Sequence, residues 1–335
     1  MSIIDHFLRR VPNSPSNVPA EHSVPSPMRL RIGWMIRHAG VFGSVREAVE
    51  LGNALVQRGH SFTLFTEDGK PCTWLPNNIS FAPISTLGDT MLDALFWSDM
   101  PNVDAHYQAF KVCCATTKAF CVMGFNPDTD ALETFGTARH HEIISKHWTI
   151  ADGAWQLSFL SRYAPVVGPA IGGVNLQQFR PHDVPRKHDV IWSGDRRDRK
   201  GGSQVVKATI GLNTDSYSGH RLSQEDLAPF ICSAPIFADG HKRGGHCNPV
   251  LEAMACGRAV VCTDTWCNSD FTKHGVNCLK VPVGDAKAMR SAIDSILNDD
   301  DLRALISAGA LATAQEFSYH IRAAELEAAI LDLIR

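Results

Sequence analysis

The chain has 335 residues, 44% of them hydrophobic and 20% charged, which is room for two ordinary domains and too apolar a composition for disorder over most of its length. A formal net charge of −3 and a pI near 6.6 exclude a broad electrostatic attraction for nucleic acid or an anionic membrane. Ten scattered cysteines include no C-x-x-C pair and join no histidines at zinc-ligand spacing, so reduced thiols and a cytoplasmic location are expected.

Residues 1–10, M-S-I-I-D-H-F-L-R-R, lack the order of a signal peptide; they could form a small amphipathic turn, and peripheral membrane contact is the lesser alternative. No apolar run approaches the roughly 18 residues that span a bilayer. Residues 11–27 are rich in proline, serine and asparagine without an apolar period, so 1–27 reads as a disordered lead. Ordered structure is expected from Met28.

Arg31 to Ile36 suits a buried strand, followed by the loop H-A-G-V-F-G-S and a helix from about Val45 to Arg58. Gly40 and Gly43 allow a ligand close to the backbone, and Ser44 is the expected cap of that helix. The loop has neither the P-loop's G-K-[ST] nor the dinucleotide pattern G-x-G-x-x-G. A second strand follows Gly59. Strand, glycine loop, helix and strand in this order predict a parallel sheet whose ligand crevice lies at the carboxyl ends of its strands.

Leu92 to Asp99 and Ala119 to Gly124 read as further buried strands. Asp99 then stands either as a strand-end carboxylate of an active site or as a loop cap. Arg139, His140, His141 and His147 tempt a metal reading, but neighbouring residues diverge around a helix, so a solvated face is expected. Trp148 to Arg162 reads as strand, turn and helix. After P-A-I-G-G-V-N-L-Q-Q-F-R-P, in which Gly172 and Gly173 allow close backbone approach to a ligand, the polar stretch His182 to Lys187 suits a linker.

Val190 to Gly194 opens a second domain, and D-R-R-D-R-K-G follows. Arg196, Arg199 and Lys200 put positive charge at a strand end, as a diphosphate requires; a solvated charge run is the alternative. His241, Lys242 and Arg243 could complement an acidic sugar or phosphate, with simple exposure as the safer expectation. Ser223 to Cys232 and Pro235 to Ala238 supply a capped helix and a strand. Further on, A-V-V-C-T from Ala259 is a strand, and helical periods run over 286–298, 300–314 and about 319–334.

Gly244 to Gly257 reads G-G-H-C-N-P-V-L-E-A-M-A-C-G. Asn248 is an N-cap type, Pro249 fits the first helical position and Gly257 is a natural stop, so a short helix is expected with Val250, Leu251, Met254 and Ala255 on its apolar face. Glu252 falls off that face, behind N–H groups at the positive end of the helix dipole where an anion could dock. A solvated glutamate is the plainer alternative.

The segment 248–261 resembles the nucleotide-sugar-binding signature of glycosyltransferase family 4, whose fold is GT-B: an α/β architecture of two Rossmann-like domains, each with a parallel sheet, facing a central cleft. Residues 169–181 are similar to the family's P-N-G-V-D-x-x-x-F-x-P, 194–201 to its G-R-x-x-x-x-K-G, and 274–285 to its hairpin-like G-x-N-G-x-L-V-x-x-x-D. The resemblance implies an acceptor-side domain over 28–182, a donor domain over 183–316 that is reduced between Gly201 and Gly244, and a closing helix over 317–335 that packs back on the first domain. It further implies a retaining enzyme that moves a sugar from a UDP- or GDP-linked donor to a hydroxyl, without a metal cofactor. Lys200 and Arg196 would hold the diphosphate, Glu252 the ribose, and the backbone from His246 through Cys247 and Asn248 to Val250 the phosphate or sugar. Gly40, Gly43 and Ser44 would close over the pyrophosphate from the other domain, with Asp99, Lys200 and Glu252 as the groups nearest the chemistry. The family's first motif glutamate, beside the donor sugar, is Gly244 here. That departure supports an alternative, a catalytically silent nucleotide-sugar-binding protein; a dinucleotide-dependent oxidoreductase is weaker, lacking its fingerprint.

Overall fold

In a computed structural model of the chain, the described residues are 28–98, 103–122, 125–126, 131–132, 142–143, 145–162, 164–167, 171–219 and 222–335. The expected disordered lead 1–27, the candidate Asp99 and the pair His140 and His141 lie outside them.

The first half of the chain builds β1 (Arg31–Met35), α1 (Gly43–Gln57), β2 (Ser61–Thr66), β3 (Ser80–Pro83), β4 (Ala94–Ser98), α2 (Val103–Val112), β5 (Thr117–Val122), the short antiparallel pair β6 (Phe125–Asn126) and β7 (Ala131–Leu132), β8 (Trp148–Ala151) and α3 (Ala154–Leu160). Six of these strands form a parallel sheet in the order β3-β2-β1-β4-β5-β8. Helices cover both faces, so the central strands are apolar on both sides rather than alternating. On one face Trp34 packs between Phe62 and Phe96, with ring centroids 6.5 and 5.7 Å away. Burying one such ring removes on the order of 200 Å² from water, or about 5 kcal/mol before entropy is counted. On the other face Trp97 meets Tyr107, Phe110 and Phe120.

The second half builds β9 (Val190–Trp192), α4 (Gly202–Ala208), β10 (Thr214–Ser216), α5 (Gln224–Cys232), β11 (Ile236–Asp239), α6 (Asn248–Ala255), β12 (Ala259–Thr263), β13 (Leu279–Val281), α7 (Ala286–Asn298), α8 (Asp300–Glu316) and α9 (Tyr319–Ile334). Its five strands are parallel in the order β10-β9-β11-β12-β13. Ser223 caps α5 by accepting from the Asp226 N–H, and Asp285, Asp299 and Ser318 do the same for α7, α8 and α9. Helix α9 lies against α1, where the Glu327 carboxylate accepts from Arg58 Nε at 2.5 Å.

Several local expectations change. Helix α1 starts at Gly43 and its flanking residue is Phe42, so Ser44 sits inside the first turn and caps nothing. The stretch 274–285 is no hairpin: a tight loop leads into β13, which runs parallel to β12. β3 and β10 are additional strands; T-D-S at β10 carries no apolar run by which to recognise it. His147 is not on a solvated face but packs beside Tyr107 and Phe110, with its Nε2 3.1 Å from the Tyr107 hydroxyl.

One backbone contact fixes the strand ends of the second sheet. Gly201 has φ +62°, and a Cβ there would overlap the Gly240 carbonyl, so the loops after β9 and β11 meet backbone to backbone. Lys242 N–H donates to Arg199 O at 2.9 Å across the same seam. Gly201→Ala should therefore destabilise the protein by at least about 2 kcal/mol, from left-handed strain plus the overlap. Gly211→Ala, at φ +81° with open space around its Cβ, should cost only the strain, on the order of 1 kcal/mol. Urea denaturation midpoints of the two variants measure the difference.

Candidate functional site

The carboxyl ends of both sheets face one another, and polar contacts tie them together. Helix α1, which follows β1, presents Arg46 to Glu252 of α6 across the junction, with Nε 3.6 Å from Oε1. Arg46 also lies 3.9 Å from Glu50 and donates to Gln178 at 3.3 Å and Gln224 at 2.5 Å. Its guanidinium stands over the rings of Trp74 and Phe179. Asn175 Nδ2 donates to Glu50 Oε2 at 2.9 Å. From the end of β8, the Asp152 carboxylate accepts the His246 N–H at 2.9 Å. Asp270, just beyond β12, accepts the N–H groups of Ala154 and Trp155 at 2.6 and 3.0 Å, so a carboxylate of the second half caps α3 of the first.

Glu252 is thus neither solvated nor at an open helix end. It is buried, and burial raises its carboxyl above the usual range while the Arg46 charge opposes that. Asn248 is the first residue of α6 rather than its cap; Cys247 holds the cap position, and the Asn248 side chain pairs with His246 Nδ1 at 2.8 Å. Three of the backbone donors expected to face a ligand are already bonded, those of His246 to Asp152, Cys247 to Cys267 O and Val250 to Cys247 O. Glycine at 172 admits the His246 ring, not a ligand, and Gly173 lies against Phe317 O. Burial lowers His246 to a pKa of about 4, leaving a neutral imidazole beside Phe271.

The charge run after β9 divides. Arg197 binds Asp195 through paired contacts, which hold the Asp195 carboxyl down at about 2. Arg196 is exposed at the end of the strand. Lys200 is half-buried, and its Nζ stands 2.5 Å from His241 Nε2. His241 Nδ1 in turn lies 2.6 Å from Asp239 Oδ1. Asp239, His241 and Cys247 offer oxygen, nitrogen and sulfur within 4.8 Å of one another, all buried, and are the one group among the described residues with the geometry to ligate a cation.

The loop carrying Gly40 and Gly43 is exposed, and a Cβ at Gly43 would meet nothing within 4 Å. Gly244, by contrast, is buried, yet a Cβ there would meet only Arg199 Nη1, at 4.0 Å. A cavity of about 690 Å³ lies between the two halves; Glu50, Asn175, Gln178 and Gln224 of the Arg46 network line it together with Asn53 and Tyr319, and it includes neither Lys200 nor Glu252.

Residues 177–299 match a family model described as glycosyl transferases group 1. Over 80 residues the chain is 34% identical to the lipopolysaccharide core biosynthesis glycosyltransferase LpsE of Rhizobium meliloti, a stretch that is 24% of this chain and 24% of that protein. Sucrose-phosphate synthase from Thermosynechococcus elongatus superposes with a TM-score of 0.71 at 15% identity, covering 91% of this chain and 99% of the other. Anabaena HepE in complex with UDP and glucose gives 0.71 at 12% identity, covering 91% and 100%. The fold is GT-B. Within it, the group 1 match spans the whole loop after β9, α6 and β12, and therefore both Lys200 and Glu252. Among the described residues no helix is long and apolar enough to cross a membrane.

Arg46, Asp152, Asp239 and Asp270 escaped the sequence reading. Arg46, Asp152 and Asp270 work through partners far away in the chain, which no local spacing signals, while Asp239 binds His241 two residues on, within a turn that carries no recognisable motif.

Arg46→Met should destabilise the protein by about 3 kcal/mol at neutral pH, since it strands two buried carboxylates. The loss should shrink on acidification, as protonation removes the stranded charge; equal losses at pH 5 and 8 would contradict the pairing. His246 has its folded pKa lowered to about 4, below the ordinary 6.5, so its contribution is complete above pH 6.5 and is lost as pH falls toward 4. His246→Gln should remove up to about 3 kcal/mol of that acid sensitivity, read from denaturation curves across the same window.

Proposed function

We propose that the protein is a retaining glycosyltransferase of family 4 type, transferring a sugar from a nucleoside diphosphate donor to a hydroxyl acceptor. The observation that carries this reading is the presence in one GT-B lobe of an ammonium, Lys200, in the loop after β9, and a buried carboxylate, Glu252, on α6, with an exposed glycine loop in the other lobe. The first lobe would be 28–182 and the donor lobe 183–316, with 317–335 closing back on the first. HepE is solved with UDP and glucose, which makes UDP the first donor nucleotide to try.

Lys200 and Arg196 would neutralise the diphosphate in the ground state and stabilise the leaving nucleoside diphosphate as the glycosidic bond breaks. Glu252 would accept hydrogen bonds from the ribose hydroxyls, sharing its oxygens with Arg46. Gly40, Gly43 and Ser44 would fold over the pyrophosphate and exclude water that would otherwise hydrolyse the donor. The leaving phosphate oxygen can take the acceptor's proton on the same face as the departing group, so the scheme needs no protein nucleophile and no resident metal. Asp99 remains a candidate strand-end carboxylate on the acceptor side. Reduced cysteines support a cytoplasmic setting.

Gly244 favours one second reading, a donor-binding protein without turnover. Its neighbourhood has room for a side chain, so Gly244→Glu would return a carboxylate to the family's position beside Arg199.

Mass-spectrometric screening against UDP- and GDP-sugars, reading donor hydrolysis and transfer, separates the two readings: turnover sustains the enzyme, while binding with no turnover sustains the silent protein. Lys200→Ala and Glu252→Ala should each weaken UDP binding by about tenfold or more, the loss of one charge-assisted contact. Unchanged affinity in both would refute the site.

A further inference from the structure

Asp239 ends β11, and the chain turns at once through Gly240 to His241. The turn folds onto itself: His241 N–H donates to Asp239 Oδ2 at 3.1 Å while the ring nitrogen Nδ1 lies 2.6 Å from Oδ1 of the same carboxylate. From the far side the Thr263 hydroxyl donates to His241 O. The imidazole is buried; Cys247 Sγ lies 3.4 Å from Nδ1, farther than the Asp239 oxygen, and the Lys200 ammonium reaches Nε2 at 2.5 Å.

The partners define the tautomer. An aspartate carboxylate only accepts and a lysine ammonium only donates, so Nδ1 carries the proton and Nε2 is the acceptor. Other cations of this loop pair are neutralised directly by carboxylates, Arg197 by Asp195 and Lys242 by Asp198. Lys200 instead meets a neutral ring. One of its three N–H bonds is spent on orientation and two remain for an anion, while Asp195 and Asp239 feel its charge without forming a direct ion pair.

We propose that Asp239 and His241 form a buried positioning relay that aims the Lys200 ammonium at the diphosphate of the donor. This rests on the assignment of Lys200 to that diphosphate. Gly201 and Gly240, packed backbone to backbone, bring the two loops close enough for the lysine to reach the ring. His241 and Asp239 act through Lys200 and touch no substrate. The trio Asp239, His241 and Cys247 does not serve as a cation site: a cation on Nδ1 would leave the proton on Nε2, pointed at an ammonium 2.5 Å away.

Isothermal titration of UDP into the full chain tests the relay through a double-mutant cycle. Lys200→Met and His241→Leu should each weaken binding by about tenfold, and the double variant should bind no more weakly than Lys200→Met. His241→Gln, which keeps an acceptor for the lysine and a donor for Asp239, should recover most of the affinity. Should His241→Leu fail to fold, His241→Leu combined with Asp239→Asn removes the stranded charge and takes its place in the cycle. Additive losses, or wild-type affinity in His241→Leu, overturn the relay. A wild-type chain that binds neither UDP nor GDP overturns the donor site itself, and the relay is then judged in ligand-free protein by ¹⁵N NMR of histidine-labelled chain. The His241 signals should show a proton on Nδ1 and a bare Nε2 whose shift moves in Lys200→Met. A proton on Nε2, or stoichiometric Zn²⁺ uptake abolished by Cys247→Ala, overturns it.

Discussion

A buried guanidinium lies at the centre of the contacts that hold the two lobes in register. Arg46 extends from the first helix across the junction, where it meets Glu50 of its own helix and Glu252 of the opposite lobe, with Trp74 and Phe179 against its planar faces. Both carboxylates are largely removed from water, and burial raises each above the usual carboxylate range. A buried ion pair of this kind gains little net stability over an apolar isostere but makes loss of either partner expensive. Its contribution is therefore geometric: the guanidinium opposes the burial of both carboxylates only where the two lobes bring Glu252 beside Arg46. The Asp270 carboxylate capping α3 and the Asp152 carboxylate on the His246 N–H impose the same alignment farther along the junction.

The junction also determines which groups remain available to a ligand. Backbone donors at the start of α6 are largely taken up within the chain, so anion binding falls to side chains, above all to the strand-end cations of the second lobe. Arg197 and Lys242 are held by aspartates, whereas the half-buried Lys200 meets an imidazole, with the Asp195 and Asp239 carboxylates close enough to feel its charge. Gly244 leaves open the space where the related pattern has a carboxylate. Recognition of a donor would thus depend more on cation placement and less on the helix terminus than the motif by itself suggests.

Much of the architecture could be read from the chain because its parallel strands are buried on both faces and appear as unbroken apolar runs, as at Arg31 to Ile36 and Ala259 to Thr263. Strands β3 and β10 could not, since S-F-A-P and T-D-S are too short and too polar to form such a run. The helix at 248–255 was legible from Pro249 and Gly257, yet the environment of Glu252 was not, because its partner lies some two hundred residues earlier. Glycines 172 and 173 were expected to admit a ligand, and what packs against them is His246 and Phe317 O of the protein itself. The link from Lys200 to His241 and Asp239 depends on two loops meeting at Gly201 and Gly240, a tertiary event that local spacing does not encode.

The most direct measurement is a crystal structure of the chain with UDP. The account predicts the diphosphate within hydrogen-bonding distance of Lys200 Nζ and the ribose hydroxyls on Glu252, with Arg46 still facing that carboxylate. A nucleotide seated instead in the cavity between Asn53 and Tyr319, or one that leaves Lys200 and Glu252 untouched, would contradict it.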